Sequence, residues 1–180
     1  MLSPLDLVGH SLGGRVALRA GLAEPAALGR IVLLDITPSP VVVPDTPRIV
    51  DLLLAAPARA PSRDGFRAHF RAGGLDERVV EWLLQSLGHE AGEYRWRVDR
   101  TALAGLLDRT SGEDLWPAVE GPRPFAVACL RGSRSPYVRE TDVRRLVAAG
   151  CPIDTIEGAG HFLHIDRPDD VVDRVLARLG

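Results

Sequence analysis

Hydrophobic positions change period along the chain, and the changes mark the elements. Leu5 to Val8 is a short apolar run stopped by Gly9, and from Leu12 the apolar positions fall at helical spacing through Val16, Ala17, Leu18 and Ala20 until Gly21 and Pro25 interrupt them. This predicts strand, sharp turn, helix. The run "RIVLLDITPSP" from Arg30 is continuously apolar, as for a strand covered on both faces, and ends in a Pro-rich loop with Asp35 at the strand end. From Val41 to Glu120 the pattern becomes helical without clear strands, in "PRIVDLLLAA", "SRDGFRAHFRAG", "DERVVEWLLQSL" and "RTALAGLLDR". Alternation then resumes with strand "PFAVACL", helix "RETDVRRLVAAG", strand "PIDTIEG" and a last helix "RPDDVVDRVLARL", opened by Pro168 and closed by Gly180. Such alternation predicts an α/β fold, with a mostly parallel sheet, helices on both faces and an inserted helical segment. The expected divisions are 1–40 and 121–180 for the sheet-bearing core, with 41–120 between them.

Composition narrows the function. The chain of 180 residues is 46% hydrophobic and 26% charged with net charge −2, close to a globular average and without the basic excess of a nucleic-acid binder. The expected partner is a small molecule. No apolar run approaches the roughly 18 residues of a membrane span. Cys129 and Cys151 fall in apolar strand-like runs without metal-ligand spacing or a secretory segment, so two buried reduced thiols and a cytoplasmic location are expected. The patterns HExxH, paired CxxC and GxGxxG are absent, and no metal or organic cofactor is expected.

Gly9-His10-Ser11-Leu12-Gly13 fits G-x-S-x-G, in which a strand turns so abruptly into a helix that the serine hydroxyl is held exposed on a strained backbone. Ser11 is thus the candidate nucleophile, with glycines where side chains would collide with the neighbouring strand and helix. Leu12 would offer a backbone N–H to an oxyanion at the helix start. His10 is expected to pack beside the turn. The base must come from another histidine. His161 and His164 lie in "EGAGHFLHIDRP" after the final strand, where Gly158 and Gly160 let the loop fold back over the carboxyl edge of the sheet; His164 falls on the approach to the last helix, which favours His161. His69 and His89, in the insert, read as surface residues.

"GHSLGG" early and "GAGHFLH" late, with a helical insert between, resemble the α/β-hydrolase superfamily over essentially the whole chain, but only the family's second half. The resemblance implies strands five to eight, a helical cap between strands six and seven, and a triad in the order Ser, acid, His. The acid departs from the commonest pattern. After strand seven the chain reads "CLRGSRSPYV", with Ser133 and Ser135 where an aspartate is usual. Asp35, after strand six, is the remaining option, because adjacent parallel strands about 4.8 Å apart bring Ser11 and Asp35 to the same rim. A branch of small esterases is similar, with its acid in an Asp-Ile-x-Pro stretch, here Asp35-Ile36-Thr37-Pro38, and "SPYV" after strand seven. An aspartate capping its own loop is the alternative for Asp35; Asp142 and Asp154 fit worse. The activity implied is acyl transfer to water from an ester or thioester. A non-catalytic hydrolase-like binding domain and C–C bond hydrolysis on the same fold remain alternatives.

Two further expectations concern the insert and the chain start. Arg63, Arg67 and Arg71 recur every fourth residue beside Phe66 and Phe70. They form either a solvated face or a cationic patch for an anionic leaving group such as the phosphates of coenzyme A, with Arg63 and Arg67 as substrate-binding candidates. In the family, strand five pairs with strand three, and the loop after strand three carries a second oxyanion donor, often in a His-Gly stretch. Only Met1 to Pro4 precede the first strand here and no His-Gly dipeptide occurs. The expectation is an N-terminally truncated, weakly active chain that self-associates through the exposed edge of "LDLVG".

Overall fold

The computed structural model describes residues 3–41 and 45–180; residues 1–2 and 42–44, which hold part of the segment expected before the first strand and part of the start of the expected insert, lie outside the described residues. In chain order the elements are β1 (Leu5–His10), α1 (Leu12–Ala23), β2 (Leu28–Leu34), α2 (Asp45–Ala55), β3 (Arg59–Ala60), α3 (Arg63–Ala72), α4 (Glu77–Leu84), β4 (Leu87–Glu90), β5 (Glu93–Trp96), α5 (Arg100–Ser111), β6 (Ala126–Gly132), α6 (Glu140–Ala148), β7 (Ile153–Ile156), α7 (Leu163–Asp166) and α8 (Pro168–Leu179). They divide into two compact units, Met1–Val42 with Thr110–Gly180, and Val43–Arg109.

In the first unit β1, β2, β6 and β7 lie side by side in that order, every pairing parallel. The continuous apolar run of β2 has the cause expected of it. Ile31 and Leu33 join Val127 and Cys129 in a cluster with Ala17 and Leu18 of α1 and Leu146 of α6, while Val32 and Leu34 join Leu130, Ile156, Leu163 and Val171 in a second cluster. Successive side chains of a strand point to opposite faces, so two cores on two faces require apolar residues at every position. Each such side chain, fully buried, stabilises the unit by about 1.5–3 kcal/mol. At the other extreme β1 stands at the edge among the described strands, with Leu5 and Val8 exposed at 62% and 45%.

A buried arginine ties the segments that leave and re-enter this unit. Arg15 of α1 is 2% exposed. Its guanidinium donates to the carbonyls of Ser39 at 2.8 Å and Thr37 at 3.4 Å on the departing strand of chain, and to those of Thr110 at 2.7 and 3.0 Å and Glu113 at 2.5 Å on the returning one. Backbone bonds from Val41 to Ser111 and from Leu115 to Pro38 run alongside. Residues 110–120, expected to be part of the insert, therefore belong here, with Leu115 and Trp116 fully in the α1 core.

The second unit departs from the helical expectation. Beside α2 to α5 it holds an antiparallel sheet in the order β3-β5-β4. These strands are two to four residues long and mix polar with apolar positions, so no apolar run signals them. The β4–β5 turn is Ala91-Gly92, both at positive φ, 51° and 82°, in place of the Asn-Gly or Asp-Gly pair that marks such a hairpin in sequence. The core of this unit is built on Phe66 and Phe70 of α3, one turn apart, with Trp96 edge-on to both at 5.5 and 6.1 Å. Ser62 caps α3 by accepting from the Asp64 N–H.

Candidate active site

β1 delivers Ser11 to the carboxyl rim of the parallel sheet. Ser11 has φ 51° and ψ −118°, a conformation rare for a residue with a side chain, and its N–H donates to Leu34 O at 3.1 Å. The turn into α1 is so tight that a Cβ on Gly9 would sit 2.5 Å from the backbone of Gly13 and Gly14. At Gly13 a Cβ would meet no described atom within 4 Å, so the collision expected of both glycines of the pattern applies to the first and falls, on the second side, to Gly14. Leu12 opens α1, where the first N–H groups have no acceptor within the helix.

β2 delivers Asp35 beside it. Asp35 is fully buried, at φ 53°, and its N–H donates to Leu130 O at 2.8 Å. Three donors converge on its carboxylate: Gly132 N–H on Oδ1 at 2.9 Å, and the Ser135 hydroxyl and His161 Nδ1–H on Oδ2, the last at 2.8 Å. A buried carboxylate needs such compensation. All three donors lie on other segments, so the Asp35 carboxylate does not cap its own loop.

The loop from β7 to α7 brings in His161, whose Nε2 stands 3.1 Å from Ser11 Oγ. Its Nδ1 is the donor to Asp35, which leaves the Nε2 lone pair facing the serine. Tyr137 stacks on this imidazole, ring centroids 3.6 Å apart and planes 14° from parallel. His10 packs beside the turn as expected, and its Nε2–H donates to the His161 carbonyl at 2.8 Å. Burial, with the neighbouring His161 second, pushes the His10 pKa down to about 3, so this ring is neutral near pH 7. A Cβ on Gly132 would come within 2.4 Å of Gly160 O, so glycine there admits the histidine loop as well as donating to Asp35.

The remaining candidates lie apart from this relay. His164 sits in α7 with its ring 4.6 Å from that of His10, its pKa lowered first by burial. Asp142 is buried against Arg139 and accepts from Ser39, and Asp154 pairs with Arg178. In the second unit Arg67 is engaged by Glu81 and Asp64, whereas Arg63 lies 5.4 Å over the Tyr94 ring with no described carboxylate partner. His89 is exposed, but His69, expected at the surface, is half-buried with Nε2 on Leu52 O. Cys129 and Cys151 are buried and free. Among the described residues no group of three or more His, Cys, Asp or Glu could hold a metal ion, and no helix is long and apolar enough to cross a membrane.

A family model described as the alpha/beta hydrolase family matches residues 2–174. The sn-1-specific diacylglycerol lipase ABHD11 of Mus musculus is 30% identical over 191 aligned positions, covering 99% of this chain and 60% of its own length. Lipase LipV of Mycobacterium tuberculosis is 30% identical, covering 98% of this chain and 69% of its own. The chain therefore spans less than two thirds of the mouse lipase it matches. Among solved structures, a marine microorganism esterase superposes with a TM-score of 0.81 at 23% identity, over 98% of this chain and 70% of that one.

Proposed function

Because the chain belongs to the alpha/beta hydrolase family, we propose that it serves a serine hydrolase of carboxylic esters or thioesters that works through an acyl-enzyme on Ser11. One observation carries the reading, the unbroken relay from Ser11 Oγ through His161 to buried Asp35. In it, His161 Nε2 takes the hydroxyl proton as Oγ bonds to the substrate carbonyl carbon, whose π pair moves onto oxygen. The Leu12 N–H at the start of α1 faces that oxyanion, and a donor of this kind is worth about a hundredfold or more in rate. The proton on Nε2 then passes to the departing alkoxide or thiolate as its bond to carbon breaks. Water, deprotonated by the same nitrogen, releases the acid and restores Ser11. Asp35 keeps the proton-bearing tautomer of His161 in place and offsets the imidazolium charge. The relatives named as lipases support small ester substrates. The test is rapid mixing with a p-nitrophenyl ester. A burst of about one equivalent of nitrophenolate that Ser11→Ala removes is the expected result; turnover that survives Ser11→Ala contradicts the reading.

A further inference from the structure

We propose that Tyr137 is a positioning residue for the His161 imidazole and favours the imidazolium formed during acyl transfer, an inference that rests on the function proposed above. Two hydrogen bonds at opposite corners of the ring, to Asp35 Oδ2 and Ser11 Oγ, hold its ends. The second bond is lost once Oγ carries an acyl group, so during the water step the ring keeps only Asp35. His161 sits in a loop, and rotation about its side-chain bonds then has to be blocked by packing. The Tyr137 ring supplies that packing at 3.6 Å and 14°, nearer and flatter than His10 at 4.7 Å and 41° or Phe162 at 5.3 Å and 71°. Tyr137 is itself fixed to the acid. Its N–H donates at 3.2 Å to Ser135 Oγ, whose proton goes to Asp35, so one hydroxyl sets the height of both the carboxylate and the stacking ring.

The electrostatics act in the same direction. The face of an aromatic ring is negative, and a stacked planar cation is attracted to it. The other titratable groups about His161 are Asp35 after β2, His10 at the end of β1 and His164 in α7, and burial first and His161 second lower the pKa of both of these histidines. Tyr137 is thus the described ring stacked flat on the imidazole from the loop after β6.

The experiment compares Tyr137→Phe, which keeps the ring, with Tyr137→Leu and Tyr137→Met, which keep bulk without a π face, in the full chain and with thermal melts to establish folding. Tyr137→Phe should stay within about threefold of the parent. The Leu and Met variants should lose tenfold to a hundredfold in kcat with KM changed less than about threefold, and the acid limb of kcat/KM should move about half a pH unit lower. As a second measurement, the ring protons of His161 in the unaltered chain should show an upfield ring-current shift in NMR that Tyr137→Phe preserves. Unchanged kcat and acid limb in the Leu or Met variant, a Phe variant as impaired as Leu, or His161 protons without the shift would overturn the proposal. If Ser11→Ala abolishes the burst in the same preparations, the hydrolase reading stands whatever Tyr137 does.

Discussion

Asp35→Asn is expected to lower kcat about ten-thousandfold, whereas Asp142→Asn should leave it within a few-fold. The asymmetry follows from what each carboxylate touches. Asp35 accepts from three donors, Gly132 N–H, Ser135 O–H and His161 Nδ1–H. An amide has one oxygen, so at least one of these donors must face an NH2 group. Where the donor displaced is His161, the imidazole turns to the tautomer whose Nε2 carries a proton and cannot accept one, a change that costs about 10⁴ in serine-triad enzymes. Asp142, by contrast, is spent on Arg139 and Ser39 and touches neither Ser11 nor His161 among the described contacts. Its amidation should appear as a lower melting temperature. Steady-state kinetics on one aryl ester decides the matter, and equal losses from the two changes would contradict Asp35 as the acid.

Arg15→Met should destabilise the first unit by about 3 kcal/mol or more, read as a melting temperature roughly 10 °C lower. The methionine fills similar space but leaves the carbonyls of Thr37, Ser39, Thr110 and Glu113 without their shared donor in a site that is 2% exposed. Unpaired buried acceptors each cost about 1–3 kcal/mol before water or neighbours relax to meet them. Arg15→Lys should recover only part of the loss, because a single ammonium cannot span acceptors on both crossing segments as a planar fork does. Calorimetry that finds Arg15→Met within about 2 °C of the parent would show that these carbonyls find other partners.

Much of the first unit was legible because its signals are local. A four-residue apolar run covered on both faces, a G-x-S-x-G between strand and helix, and a glycine-bearing histidine loop each announce themselves within a dozen residues. The placing of Asp35 beside Ser11 was legible for a related reason, since the parallel register sets the ends of β1 and β2 side by side. What escaped was what depends on distant segments meeting. Ser135 was passed over as a candidate acid, and its hydroxyl donates to Asp35, a contact visible only once the β6 loop lies over β2. Gly132 carries no local mark of the histidine loop that passes 2.4 Å from where its Cβ would be. Arg15 sits at a helix position that reads as solvated, and its four carbonyl partners lie more than twenty residues away. In the second unit, strands of two to four residues around an Ala-Gly turn give no periodicity to read.

In the proposed function His161 makes Ser11 a nucleophile. The most direct test is to treat the protein with a fluorophosphonate, digest it and locate the adduct by tandem mass spectrometry, in parallel with His161→Ala. One phosphonyl group on Ser11 in the parent and a labelling rate lower by orders of magnitude in the variant are expected. An adduct on another residue, or Ser11 labelled equally fast without His161, would contradict the proposed function.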